Sequence, residues 1–315
     1  MGVRKYIASL FFTGGSCFAQ TDSLVNPYIQ NFPDKISTQL FILNTSNQFT
    51  FNYEKDNMIV DLVPNQKTTL GISVQYDIIS FSYGIAPKIF AENKDNEGSK
   101  MTFFGFSIFP GKWMQRFDYY YQKGLSLETE GIVDYLPELR TMKIGGSTSY
   151  VFNKNFSFKA LAFQNEKQLR SAGSFVPELS YYYTELNGKK VEEMGSKASF
   201  INVALSPGYH YNWVIAKKFL VAGGISLGAG FTRVTDGITY TEFLTTSSLS
   251  LALGYNSDTF YGGIYLKGIV SSHIDESKVG MDDSVSYSTA FFGYRFNAPS
   301  VLEREKEKVK KKIKL

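Results

Sequence analysis

The sequence predicts an all-β fold, a transmembrane antiparallel up-and-down barrel of about 12 strands. Three observations carry that prediction. The first is alternation in residues 199–232. Ile201, Val203, Leu205, Tyr209, Tyr211 and Trp213 interleave with Asn202, Ala204, Ser206, Gly208, His210 and Asn212. After a turn at 215–218, Phe219, Val221, Ile225, Leu227 and Phe231 oppose Ala222, Gly224, Ser226, Gly228 and Gly230. Period two means strands, because successive side chains leave opposite faces of the pleat. The second observation is that the non-apolar face is small and mildly polar. A soluble sandwich shows long polar side chains there; a membrane barrel turns such a face to its lumen. The third is the clustering of aromatic rings beside turns, the pattern of a girdle at the membrane interface.

Composition agrees. Phe numbers 27, Tyr 21 and Gly 27 in 315 residues, rings favoured by strands and glycines by crowded barrel interiors. The mean hydropathy of −0.16 does not argue against a membrane protein. Barrel strands need only about 9–11 alternating residues to cross and escape a hydropathy window.

Residues 1–19 read as a secretory signal peptide. Arg4 and Lys5 form its charged start, 6–13 its apolar core, and Cys17-Phe18-Ala19 a small-x-small cleavage site. Lipidation at Cys17 is disfavoured, because Gly14 stands where a lipobox usually has Leu. Residues 20–67 follow as a periplasmic lead-in with possible extra strands: 36–43 and 48–53 suit a hairpin through 44–47. The barrel proper is expected over 68–297.

Its strands begin at 68–77, with Leu70, Ile72, Val74 and Tyr76 out and Thr69, Gly71, Ser73 and Gln75 in. Residues 79–86 continue the alternation, and 90–100 form a polar loop. Phe104, Phe106 and Ile108 lead to the Pro110-Gly111 turn. Trp113, Phe117, Tyr119 and Tyr121 then oppose Arg116, Asp118, Tyr120 and Gln122. Residues 125–138 read as irregular. Met142–Phe152, 156–164 and 175–183 follow as strands, then the hairpin described above. Leu249, Leu251, Leu253 and Tyr255 oppose Ser248, Ser250, Ala252 and Gly254. Phe260, Ile264, Leu266 and Val270 oppose Tyr261, Gly263, Tyr265 and Lys267. The last strand ends on Phe292, Tyr294 and Phe296, an aromatic end of the kind read by the barrel-assembly machinery. The count is about 12, or about 14 if the 36–53 hairpin joins. With both termini periplasmic, the turns at 215–218 and 256–258 are periplasmic. The loops 187–197, 235–241 and 273–283 are extracellular. The same parity places Pro110-Gly111 and the 153–155 turn outside, against their short length, which points to one miscounted strand in the first half. The expected girdle is Tyr209, Tyr211, Trp213, Phe219, Tyr255, Phe260, Tyr294 and Phe296.

Three segments, Gln168-Leu169-Arg170-Ser171-Ala172-Gly173-Ser174-Phe175, Ser206-Pro207-Gly208-Tyr209 with Trp213-Val214-Ile215, and Phe292-Gly293-Tyr294-Arg295-Phe296-Asn297-Ala298-Pro299, resemble the domain-of-unknown-function 4421 family of Bacteroidota. That family is regarded as outer-membrane β-barrel proteins. The resemblance implies fold and location, in the outer membrane of a Gram-negative bacterium, and no activity.

The inward ionisable residues are Arg116, Asp118, Lys143, Glu178, His210, Lys267 and Arg295. They read either as the lining of a porin-like pore or as ion pairs filling the lumen, since unpaired buried charge is costly. Inward Tyr120, Tyr182, Tyr261 and Tyr265 favour the filled lumen. Two histidines, His210 and His273, exclude a metal site of several imidazoles. Ser206, four positions before His210 on one strand face, is too distant for a nucleophile–base hydrogen bond at ~3.3 Å per residue. Gly228-x-Gly230 lies mid-strand with no helix following and is no phosphate loop. The expectation is therefore a structural or narrow-channel barrel without cofactor or catalytic site. A lipid-modifying barrel enzyme is the alternative. Expected partners are membrane lipid, lipopolysaccharide and the assembly machinery, with no nucleic acid, and the chain is monomeric by default. Net charge is +4. Residues 298–315 carry that charge as a basic periplasmic tail, a solvated end or short helix.

Overall fold

The computed structural model describes residues 26–53, 55, 57–64, 67–94, 98–163, 165–192, 195–274 and 279–313. The expected signal segment lies outside these residues. The chain divides into a unit of residues 26–297 and a second containing residues 298–315.

The first unit is a closed ring of antiparallel strands. Its base is the end where Lys35 pairs with Asn297, and its rim is the end where Tyr53 pairs with Val279. A short strand β1 (Ile29–Asn31) precedes the wall. The first stave, β2 (Lys35–Tyr53), climbs from base to rim without a break. β3 (Met58–Pro64) and β4 (Lys67–Tyr76) descend beside it as one stave, both paired to β2. β5 (Ile79–Ile85) and β6 (Lys100–Ile108) are short, so nearer the rim β3 pairs directly with β7 (Trp113–Thr129). β8 (Ile132–Tyr150) returns to the base. The chain then leaves the wall for a 3-10 turn at Lys159–Ala162 and strand β9 (Glu166–Gln168), which pairs with β1. It rejoins as β10 (Ala172–Phe175) and β11 (Glu178–Asn187), one stave interrupted by Pro177. β12 (Lys197–Ser206) and β13 (Gly208–Ile215) descend, interrupted by Pro207. Proline has no N–H for the ladder, which explains both interruptions. They lie side by side, with Val176 N donating to Gly208 O across them at 2.8 Å. β14 (Phe219–Asp236), β15 (Ile238–Asn256), β16 (Phe260–Ile274) and β17 (Val279–Asn297) complete the wall, and β17 closes it on β2.

Joined this way the staves number twelve, but not by the expected route. Residues 36–53 form one strand, not a hairpin, because nothing at Asn44–Asn47 supplies a turn conformation and every position pairs with β17. The wall thus starts at Lys35, inside the expected lead-in. Of residues 156–164, expected as a strand, the described residues 156–163 are not one. Removing that strand and adding β2 restores the total and corrects the first half: Pro110-Gly111 and the 153–155 turn both lie at the base. Residues 125–138 are regular as well, joined through Glu130 (φ 44°) and Gly131 (φ 84°), the left-handed pair of a tight hairpin turn. The rim segments 235–241 and 279–283 are largely strand rather than loop, since Asp236 pairs with Ile238 around Gly237 and β17 begins at Val279.

Leu40, Ile72, Leu205, Ile225, Leu249 and Phe292 are exposed on the outer face. All eight expected girdle residues are exposed too. Only lipid makes such an exterior favourable, since a contiguous apolar surface of this extent is not tolerated in water. The described residues contain no helix long and apolar enough to cross a membrane; the strands do the crossing.

In the second unit, the expected basic tail forms α1 (Ser300–Ile313). Lys308 pairs with Glu305 one turn earlier at 2.7 Å.

Candidate functional site

A ring of twelve staves encloses more space than wall side chains can fill. The connection between β8 and β10 occupies part of that space. It folds back into the base of the lumen as a plug, burying Phe156, Ala160, Leu161 and Phe163. Ala160, Leu161 and Phe163 pack on Phe41, Leu220, Ala252, Tyr261 and Phe291 of the wall, and Phe156 packs with Val151, Ala172 and Val176. Burial contributes about 1.5–3 kcal/mol for each large side chain. Two wall glycines make room: a Cβ at Gly254 would overlap the ring of Phe163, and one at Gly293 the ring of Tyr261.

Polar side chains fasten the plug. Ser37 Oγ donates to Asn165 Oδ1 at 2.7 Å, and Asn165 Nδ2 donates to Asp77 O at 3.1 Å. Asn212 Nδ2, fully buried, donates to Ser157 O at 2.9 Å and Gln168 Oε1 at 3.1 Å. Lys167 pairs with Asp258 at 3.1 Å. Burial acts to raise the Asp258 carboxyl, but the hydrogen bond and charge of Lys167, together with the Gln30 hydrogen bond and the charge of Lys35, hold the group below its ordinary value.

Above the plug lies a chamber of about 250 Å³, floored by Phe158 and Leu161 and walled by Phe41, Phe103 and Phe291. Arg116, Tyr120, Lys267 and Tyr287 line both this chamber and a smaller space above it of about 60 Å³. They therefore mark the constriction between the two. Toward the rim, a vestibule of about 290 Å³ is lined mainly by apolar groups such as Leu62, Leu186, Phe200 and Met281, together with Asp236 and His273.

Five of the seven inward ionisable residues gather at the middle level. Arg116 Nε lies 2.8 Å from Asp118 Oδ2, and Tyr182 donates its hydroxyl to Asp118 at 3.1 Å. Asp118 is only 1% exposed, so this pairing is what makes its charge tolerable. Lys143 pairs with Asp283 at 2.8 Å and lies 5.5 Å over the Tyr182 ring. Glu178 accepts from Ser147 at 3.0 Å and Ser149 at 3.2 Å. Lys267 completes the belt.

The other two belong elsewhere. His210 sits lower, its ring 5.1 Å edge-on from Phe158 of the plug. Its Nδ1 is buried and has no hydrogen-bond partner among the described residues, and the hydroxyl of its cross-strand neighbour Ser174 donates to Phe175 O. Arg295, expected with the belt charges, lies at the base, buried beneath the plug. Its guanidinium stacks between Phe32 at 4.4 Å and Tyr261 at 4.5 Å. It donates to the carbonyls of Phe163 and Ser257 and to Asn256 Oδ1. His273 lies at the rim, 6.3 Å from the Phe200 ring. Among the described residues no group of three His, Cys, Asp or Glu is placed to hold a metal ion.

Sequence reasoning missed the plug. Its fastening residues Asn165, Lys167 and Gln168 belong to a run without alternation, the one signal that 156–168 is not wall.

The family described as "Domain of unknown function (DUF4421)" matches residues 20–296. No curated protein matches the chain. Among solved structures, the chain is similar in outline to the outer membrane protease OmpT from Escherichia coli at 12% identity and TM-score 0.35. That likeness covers 85% of this chain and 98% of the other. It is also similar to the COG4313 outer membrane channel from Pseudomonas putida F1, at 8% identity and TM-score 0.41, covering 88% and 100%. A third likeness, to the beta domain of the Bordetella autotransporter BrkA, has 8% identity and TM-score 0.36, covering 82% and 98%.

Proposed function

We propose that the chain, which belongs to the DUF4421 family, is an outer-membrane barrel that works as a narrow, plugged channel for small solutes. The observation that carries the reading is the divided lumen: vestibule, charged belt, chamber and plug in series. A barrel serving only as a scaffold would be packed to the density of other protein interiors. This one keeps a chamber of about 250 Å³ directly above an inserted segment. The plug is part of no stave; its ladder is with β1, and side-chain hydrogen bonds and apolar packing fasten it to the wall, so it can shift without opening the sheet. The outer-membrane location rests on the closed ring, the apolar exterior and the aromatic girdle. A closed ring leaves no unpaired edge in lipid. Against the enzyme alternative, His210 packs on Phe158 with its Nδ1 unbonded among the described residues, and the hydroxyl of its cross-strand neighbour Ser174 donates to Phe175 O instead.

Planar-bilayer recording of Ser37→Cys/Asn165→Cys tests the reading, because these side chains already touch at the plug–wall contact. The expected result is discrete openings in the wild type that vanish in the oxidised double variant and return on reduction. A wild type that stays silent at every voltage, or openings indifferent to the cross-link, would refute a plug-gated channel.

A further inference from the structure

We infer that the chamber above the plug is a binding site for a small organic monoanion with an apolar body, its anionic group set against Lys267. The inference deepens the channel reading and rests on it for the route by which the ligand arrives.

The partners of the lumen charges single out Lys267. Asp118 is held by Arg116 at 2.8 Å and by Tyr182 at 3.1 Å. Asp283 is held by Lys143 at 2.8 Å. On the plug, Glu166 is held by Lys159 at 3.0 Å. Glu178 takes hydrogen bonds from Ser147 and Ser149 and faces Lys267 and Arg116 only at longer range. Among the described residues no carboxylate stands at ion-pair distance from Lys267 Nζ. Yet Lys267 lines the chamber as well as the belt. An ammonium at the edge of an apolar space is costly without a counter-charge. A ligand carboxylate supplies one.

The rest of the chamber defines the body of that ligand. Phe41, Phe103, Phe158 and Phe291 present rings, and Leu161 closes the floor. A cavity of about 150 Å³ lined by such groups takes up benzene. The chamber, at about 250 Å³, has room for one ring and a short acid chain. A neutral hydrocarbon would leave Lys267 unmatched. A dianion would exceed the single charge of Lys267, the chamber cation without a close carboxylate among the described residues, and would meet the Asp118 carboxylate on the same wall.

The test is isothermal titration of the purified full chain, in non-ionic micelles, with trans-cinnamate and its uncharged isostere cinnamamide. Cinnamate is expected to bind at least tenfold more tightly. In Lys267→Gln the two should bind alike, while Lys267→Arg keeps the preference. Thr289→Trp, which fills the chamber from its wall, should abolish binding of both. Equal binding of acid and amide to the wild type, or binding that survives Thr289→Trp, overturns the site. Gel heat-modifiability confirms that each variant is folded. Titration does not depend on passage. Binding with silent bilayers would remove the channel and leave the site; openings without cinnamate preference would remove the site and leave the channel.

Discussion

The guanidinium of Arg295 donates to the main-chain carbonyl of Phe163, 132 residues earlier, and so ties the last stave to the end of the plug's 3-10 turn. Phe163 is held there with φ 58°, a left-handed conformation uncommon for a bulky residue. Arg295 itself is 1% exposed and lies between two aromatic rings. One side chain thus fixes both the plug and the closing strand.

Arg295→Met should destabilise the barrel by about 3 kcal/mol, because three acceptors lose a charged donor at once. The base should also leak. A lower temperature of gel-mobility shift together with more frequent openings is the expected pair of results. A variant as stable and as quiet as the wild type would show that Arg295 does not clamp the plug.

Arg116→Gln leaves Asp118 buried with Tyr182 as its remaining hydrogen-bond partner among the described residues. Breaking a buried pair from one side costs about 3–5 kcal/mol, and somewhat less here because Arg116 is 28% exposed. Arg116→Gln/Asp118→Asn should recover most of the loss. Thermal unfolding in one lipid compares the three proteins; a single variant as stable as the wild type would mean that water screens the belt.

The lipid face makes a separate prediction. Leu251 is exposed on the wall exterior and Ser250 is buried toward the lumen. Leu251→Arg should cost about 2–4 kcal/mol near the bilayer midplane. Ser250→Arg should act by crowding the interior near Lys267, its cross-strand neighbour. Folding yields into vesicles separate the two, and equal tolerance of both would reverse the assigned faces.

Attachment of the plug should weaken in acid. The Asp258 carboxyl is held below its ordinary value in the folded protein, with Lys167, Gln30 and Lys35 together overcoming the effect of burial. The stabilisation is therefore complete above the unfolded pKa of about 4 and is lost as pH falls through the lower folded value. Asp258→Asn should remove this part of the acid sensitivity. Protease cleavage within 156–168, followed from pH 6 to pH 3, should rise in the wild type and stay flat in the variant.

The C-terminal tail and the base end of the last stave should differ in importance. Removing 300–315, which lies in the separate unit, should leave a folded, heat-modifiable barrel. Removing residues from 294 onward takes away the pairing of β17 with β2 at the base, including Tyr294 with Thr38 and Arg295 with Ser37. Edges are not tolerated in lipid, so assembly should fail. Normal assembly of the longer deletion would contradict closure through this strand.

Much of this was legible in the chain. Alternation from Leu70 to Phe296 determined the class of fold, the outward girdle and which charges turn inward, because a side-chain period of two admits only two faces. Tertiary structure alone decided which inward residues meet. Lys143 finds Asp283 across the lumen, from a position that reads as loop, and Arg295 lies under a segment that reads as wall. Local pattern reports face but not height along the axis or the contents of the space enclosed. A twelve-stave ring leaves a lumen that must be filled by whatever chain can reach it. That the 151–171 connection does so depends on Phe163 fitting over Gly254 and Arg295 reaching its carbonyl, contacts between residues about 90 and 132 positions apart that no local period encodes.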